Sequence, residues 1–540
     1  MLSTRRALML GAFLTAFAAT VPSAQAEDEA EVQTIRAVSH SIPAGSRAQA
    51  VAAAEVAAPR IIPAGEAELL RIKALAGGSE GATSLVAAGE ATELTVRVRN
   101  ENRRRVCQTD ASTGAAPSGI NGAVGPQIMV VVTNSAISRY NKNNCARVGQ
   151  QSLAAFFAGV GVPATAQLKD PRVIYDRRSR RFFVTAVSTD SGNSDQYQYV
   201  AVSTDATGRT YNLYRIMLSE GTARFCKRSV GSTWDFPMAG VSNARWFVTA
   251  NDKGLAGGVR GAILSMDKRA SLSGAPMTVK CFNQLPANLA ATISLDASAA
   301  TAFLSPGSGS SSRIERRVVT AVGGGVANDT LTPIAPVVIP TWWAPPAAAQ
   351  PNGQLLDTLD GRFVAPSIQN QQKIVNVHSI KVRDTAKIRL YHISTLNDAV
   401  SPTLIFTPTT VEDESDNLFN ASVATSYGTA DAPVFISATR TIPGNRNAGR
   451  ASQLLFSGPA DSADSARWRY ALIGSSQAQM TGCARQPAGV CRWGDYSSTQ
   501  IEPGNARLGW GFNQLVDGTG SANQSRWTTR AGLMQAFRGP

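Results

Sequence analysis

The sequence predicts an all-β chain: a seven-bladed β-propeller over residues 116–540, preceded by an N-terminal extended or small β-rich appendage over 27–115. Three observations predict it. Short apolar runs ending in polar turns recur from about residue 120 to the end. One two-strand signature repeats at a fixed distance, since Phe182-Phe183-Val184-Thr185-Ala186 returns 64 positions later as Trp246-Phe247-Val248-Thr249-Ala250. Beyond a short stretch from Gln151 to Phe157 no helical period appears, which excludes the alternating helices of a doubly wound sheet or an α/β barrel.

The units follow in order. The first runs from Gly125-Pro126 into 128–132. The second runs from Asp170-Pro171 into 182–187, and the third from Asp235-Phe236-Pro237 into 246–250. In the fourth, Asp296 to Phe303 keeps the spacing of Asp176 to Phe183. Segments 359–363 with 374–377, 419–423 with 434–436, and 494–496 with 508–512 supply the rest, giving seven units at spacings near 45–75. Outer strands are read at 199–203, 262–265 and 388–393. Such a repeat cannot bury both of its faces alone, so its neighbours must stack around an axis. Two β-sandwiches in tandem are the competing arrangement; recurrence of one signature favours the propeller.

The N-terminus has the parts of a secretory signal over 1–26: Arg5 and Arg6, an apolar run from Ala7 to Val21, and small residues through Ala26. The run is short for a membrane span, and no later stretch reaches 18 uncharged apolar residues, so no transmembrane anchor is expected. The expected location is secreted or periplasmic. Six cysteines suit an oxidising compartment, and sequence order suggests Cys107 with Cys145, Cys226 with Cys281 and Cys483 with Cys491, one of several open connectivities. The 52 Lys and Arg against 38 Asp and Glu give +14, which favours anionic surfaces or polymers. The basic residues are scattered, so nucleic acid is not an expected partner.

With the units laid out, the chain resembles a group of secreted bacterial β-propeller-like proteins of unassigned function. The resemblance rests on Val124-Gly125-Pro126, Asp170-Pro171, Ala201-Val202-Ser203, Asp235-Phe236-Pro237 and Leu356-Asp357. Its most specific element is Arg492-Trp493-Gly494-Asp495-Tyr496-Ser497-Ser498, followed by Trp527-Thr528-Thr529-Arg530. It covers roughly 120–535 and implies export and a propeller-like scaffold, with no assigned substrate.

The chemistry-bearing candidates are Asp170, Asp235 and Asp495, each at the start of an expected innermost strand, with Asp357 or Asp360 as the fifth-unit counterpart. Strand starts could converge on one channel mouth, where paired carboxylates can divide acid and base or nucleophile roles at a glycosidic bond. Tyr496 adds a phenol, and Arg172 and Arg492 could clamp a uronate carboxylate. Capping of turns by Asp side chains is the simpler account of the same pattern. Calcium is the cofactor these carboxylates could take, although no calcium-loop spacing is present, and the acidic run 412–416 reads as a solvated loop. Trp342, Trp343 and Trp493 are candidate sugar-stacking residues, with packing as the alternative for the Trp342-Trp343 pair. His40, His378 and His392 are too few and too dispersed for a zinc centre, and His378 reads as a packed strand residue. The leading reading is an exported binding or scaffold protein for an extracellular polysaccharide or cell-surface component. The alternative is a carbohydrate-active hydrolase or lyase.

Overall fold

The computed structural model describes residues 30–43, 94–97, 99–100, 105–111, 118–190, 195–254, 258–370, 373–406, 415–426, 432–444, 449–459, 467–481, 489–519 and 525–536. The signal-like segment 1–26 lies outside them.

Antiparallel four-stranded meanders follow one another along the chain. Asn121–Val124, Ile128–Val132, Ala136–Asn141 and Arg147–Ser152 form the first. Ala166–Asp176, Arg181–Asp190, Gln196–Ser203 and Thr210–Glu220 form the second. Thr233–Val241, Arg245–Lys253, Val259–Asp267 and Met277–Leu285 form the third. The fourth is split: Ala300–Ser305, Ser310–Thr320 and Thr330–Trp343 pair together, while Thr292–Ser294 bridges in parallel to Val241 and to Ser367–Asn370. The fifth continues through Lys373–Val382, Thr385–Ser394 and Val400–Phe406, and the sixth holds Asn417–Thr425, Pro433–Thr441, Ser452–Pro459 and Arg469–Ser475. Ser498–Ile501, Leu508–Thr519 and Ser525–Gln535 make the last, completed by Arg105–Ala111 from the other end of the chain. First strands neighbour one another in succession, and Ser498–Ile501 lies against Asn121–Val124, so the series closes on itself. The fold is all-β, multi-sheet and propeller-like.

Alternation explains the stacking. In Arg181–Asp190, Phe182, Val184 and Ala186 join the core shared with the first meander, while Phe183 and Val187 join the core shared with the third. Phe183 stacks on Trp246 at 4.8 Å and 3°, so the aromatic positions of the repeated signature meet across the gap between two sheets. Gln196–Ser203 is buried at every position, as a strand covered on both faces must be. Full burial of one such aromatic side chain stabilises by roughly 1.5–3 kcal/mol.

The described strands before residue 112 lie on sheet edges. Glu31–Ile35 extends the third meander and Val38–Ser41 the second, while Leu94–Arg97 and Arg99–Asn100 add in parallel to the fifth and sixth. An edge strand presents unpaired N–H and C=O groups, and these segments satisfy them. The Cys107–Cys145 disulfide, Cα–Cα 5.3 Å, ties the closing strand to the first meander, and Cys226–Cys281, Cα–Cα 5.4 Å, ties the second to the third. Cys491 is also disulfide-bonded; Cys483 lies outside the described residues. The helix expected near Gln151 is Leu153–Phe157, capped by Ser152 Oγ accepting from Ala155 N–H. A second helix, Lys268–Ser273, has no sequence period but has its punctuation: Asp267 caps its start and Gly274, φ 74°, ends it. Among the described residues no helix is long and apolar enough to cross a membrane.

Candidate functional site

Three first strands break register near their starts, between Lys169 and Arg172, Asp235 and Met238, and Phe419 and Ser422. The residue opening each bulge has positive φ: Asp170 at 52°, Phe236 at 54° and Asn420 at 52°. Asp and Asn tolerate this conformation better than most residues. The register makes Lys169, Asp235 and Phe419 equivalent, then Asp170, Phe236 and Asn420. Asp170 and Asp235, matched in the sequence, are therefore offset by one position, because paired partners and not spacing define equivalence in a bulged strand.

The bulges bring the predicted polar residues to one end of the ring. Lys169 Nζ lies 3.4 Å from Asp235 Oδ1 and 4.0 Å from Asp170 Oδ2, so one ammonium reaches both carboxylates. Lys253 Nζ donates to the other Asp235 oxygen at 2.5 Å. Arg492 Nη2 donates to both Asp495 oxygens at 3.0 and 2.8 Å, and Arg362 grips Asp360 through Nε and Nη2, each at 2.7 Å. Arg172 lies deeper. Its guanidinium stacks 3.4 Å from the Tyr496 ring centre and donates to Pro237 O at 2.9 Å and Val364 O at 3.1 Å, joining several meanders at one point. Asn420 Nδ2 donates to Gly494 O at 2.9 Å and Tyr496 O at 3.2 Å. A Cβ on Gly494 would meet the Gln514 side chain at 2.6 Å, which explains the glycine in Trp493-Gly494-Asp495-Tyr496.

The electrostatics separate these carboxyls. Burial raises Asp170 to about 6, reinforced by the charges of Asp235 and Asp495 and opposed by Lys169. Burial would raise Asp235 as well, but Lys253 and Lys169 override it and hold its carboxyl far below the usual range. Asp495 is raised by burial, against the pull of Arg492. Burial, then the Asp170 charge, lifts the Tyr496 phenol well above its ordinary value, and burial lowers Arg172 to about 10. The Asp235, Lys169 and Arg492 side chains remain 22%, 30% and 28% exposed, so the cluster meets solvent. Tyr496 is buried, with no hydrogen-bond partner at its hydroxyl. A neutral acid near pH 6 beside a permanent carboxylate is a combination able to protonate a leaving oxygen and stabilise the positive charge that develops.

Other candidates fall elsewhere. Trp342 is buried, edge-on to His378 at 4.9 Å and against Gly361, so no face of its indole is open to a sugar; Trp343 is 40% exposed. Trp493 is buried between Phe419 and Trp527, its Nε1 donating to Thr439 Oγ1. Asp357 Oδ1 accepts the Leu359 N–H at 3.0 Å, a turn bond of the kind expected for a capping aspartate. His378 is buried, bonded to Gly361 O and the Tyr391 hydroxyl; burial lowers it and His392 to about 3, so both are neutral. His40, on the strand that edges the second meander, contacts Gln151 of the first. Asp416, the described end of the acidic run, is not solvated: it is buried in an ion pair with Lys387. Among the described residues no group of three or more His, Cys, Asp or Glu is placed to hold a metal ion. Lys169, Lys253 and Arg362 were missed by sequence reasoning. The only signal for Lys169 was adjacency to Asp170, and Lys253 is visible only once the hairpin Thr233–Val241 to Arg245–Lys253 is folded.

The first strands leave a different surface at their far ends. A cavity of about 360 Å³ is lined there by Tyr175, Val241, Leu295, Ile368, Thr425 and Ile501 among others. Between the two ends Arg172 lines a void of about 20 Å³, the size of one water.

The chain matches no protein-family model and no curated protein sequence. Among solved structures it is similar to a Trypanosoma rangeli sialidase in complex with sialic acid, at 9% identity and TM-score 0.36, covering 76% of this chain and 59% of that one. An α-L-arabinofuranosidase from Fusarium graminearum, at 10% identity and TM-score 0.31, covers 83% and 98%, and a Bacillus subtilis arabinanase, at 7% and 0.27, covers 78% and 96%. The chain spans 53% and 59% of the two T. rangeli sialidase chains it matches. At these scores the likeness supplies no residue correspondence.

Proposed function

We propose that this chain is an exported seven-bladed propeller that acts on a glycan as a hydrolase or lyase at its charged mouth. The proposal includes export through the leader 1–26 and kinship with the secreted bacterial propeller-like group. One observation carries the catalytic reading: Asp170 and Asp235 share Lys169, yet one is raised to about 6 and the other is held ionised. Asp170 is the proton donor to the leaving oxygen. In hydrolysis Asp235, too weakly basic to take a proton, is the fixed anion that stabilises positive charge on the sugar ring while water adds to the ring carbon and releases its proton to solvent. The solvent-reaching Lys169, Lys253 and Arg492, with the excess of basic residues, favour an acidic polysaccharide.

The experiment is release of reducing ends and unsaturated uronates from a panel of neutral and acidic polysaccharides by the purified protein. Release from at least one acidic polymer is expected, lost in Asp170→Asn while the variant stays folded. A non-catalytic binding protein is the second reading. It is favoured by the pairing of Asp235, Asp360 and Asp495 with Lys or Arg, which can make the cluster a structural clamp. Retention of polysaccharide without turnover on the whole panel would establish that reading instead.

A further inference from the structure

The mouth opposite the carboxylates has no part in that activity. Its cavity, about 360 Å³, falls in the range of small-molecule pockets, and its walls include Val241, Ile293, Leu295, Ile368 and Ile501. These apolar side chains stand beside Tyr175 and Asp176, and the space between them stays open where the other mouth is packed.

Two arginines from one hairpin stand at its rim. Both are exposed, and their side-chain hydrogen bonds go to uncharged carbonyls: Arg177 Nη2 to Pro503 O at 3.0 Å, and Arg178 Nη2 to Leu295 O. The nearby acids are engaged elsewhere. Asp176 accepts Lys268 Nζ at 2.6 Å, Glu502 accepts Lys142 Nζ at 2.5 Å and the Trp510 indole at 2.9 Å, and Asp296 accepts Gln369 Nε2 at 3.3 Å. A guanidinium has five N–H donors and one fixed plane, so one carbonyl bond leaves each of these able to grip an oxyanion. Apolar walls below two such groups define the ligand by complementarity: an apolar body to fill the cavity and an anionic head to meet the rim.

We propose that this mouth is a second binding site, for a small organic anion with an apolar body, held by Arg177 and Arg178 at the rim and by Ile293, Leu295 and Ile368 within. The site is independent of the glycan reading, since it uses none of the residues at the charged mouth.

The test uses the full mature chain and two fluorescent probes sharing one apolar frame: 8-anilinonaphthalene-1-sulfonate and the uncharged N-phenyl-1-naphthylamine. The sulfonate binds saturably at one site, tighter than the neutral probe. The double variant Arg177→Ser/Arg178→Ser weakens the sulfonate by about tenfold or more, as loss of a charge-assisted bond requires, and leaves the neutral probe unchanged. Leu295→Trp, at a half-buried loop position, fills the cavity and abolishes both. The surface arginine variant does not depend on core packing, so it reports even if Leu295→Trp folds poorly. Absence of saturable sulfonate binding, sulfonate binding that survives in folded Leu295→Trp, or equal weakening of both probes by the arginine change would each overturn the proposal.

Discussion

The two ends of the ring are built from the same first strands and differ in almost every property. At the strand starts, bulges at Asp170, Phe236 and Asn420 turn side chains into the axis, and Arg172 and Tyr496 stack there to close it. At the strand ends, Val241, Ile368 and Ile501 continue in regular geometry and a cavity of about 360 Å³ remains. The difference is local: a bulge with positive φ puts an extra residue where a narrow ring has little room, and charged side chains use that residue to reach one another. The filled end therefore gathers the shifted Asp170, Asp235 and Asp495 carboxyls at one mouth, while at the open end burial raises the Tyr175 phenol and Lys268 holds the Asp176 carboxyl below its usual range against its burial.

Substitutions at the two ends should separate them. Arg172→Ala opens a hole on the axis and leaves Pro237 O and Val364 O without their donor, so a loss of about 3 kcal/mol is expected in urea unfolding. Asp235→Asn removes the carboxylate that Lys169 and Lys253 share and leaves Lys169 only its 4.0 Å contact with Asp170; the group is partly exposed, so about 1–2 kcal/mol is expected by the same measurement. A smaller effect lies in the pH dependence. Asp170 has a folded pKa of about 6, above its unfolded value, so the folded state binds more protons between these values. Its contribution to stability then falls as pH rises through about 4 to 6, and Asp170→Asn should flatten that slope in melting curves across the window. Asp235 acts in the opposite sense, its stabilisation being lost as pH falls below the ordinary carboxylate range. Smallest of all, Leu295→Ala at the open mouth should change stability by less than about 1 kcal/mol, because its side chain is only half-buried. Equal losses in Leu295→Ala and Arg172→Ala would erase the distinction between the ends.

The closed, filled end was the legible one. Asp170-Pro171 and Trp493-Gly494-Asp495-Tyr496 announce themselves because the bulge at Asp170 needs a residue that accepts positive φ and a close packing point needs glycine, whereas in Asp235-Phe236-Pro237 the positive φ falls on Phe236. The repeated Phe183 and Trp246 announce the stacking of sheets for a similar reason, as they meet across one interface. The one-position offset between Asp170 and Asp235 was not legible, since it depends on which residues pair across the hairpins. The Lys169 and Lys253 contacts depend on two separate strands converging, and no spacing encodes that. Burial of Asp416 against Lys387 escaped notice because its neighbours in the chain are acidic while its partner lies in another meander. The cavity at the open mouth was not legible: Tyr175, Asp176, Arg177 and Arg178 read as one charged hairpin turn, and the Ile, Val, Thr and Gln that meet them around the ring are ordinary strand residues.

The most direct measurement is the pH dependence of polysaccharide cleavage by the wild type and by Asp170→Asn. The account predicts a rate that declines as pH rises past about 6, following loss of the Asp170 proton, and a fall of at least about 100-fold in the folded variant, the contribution expected of a general acid. A rate insensitive to pH through that range, or an Asp170→Asn protein as active as the wild type, would contradict it.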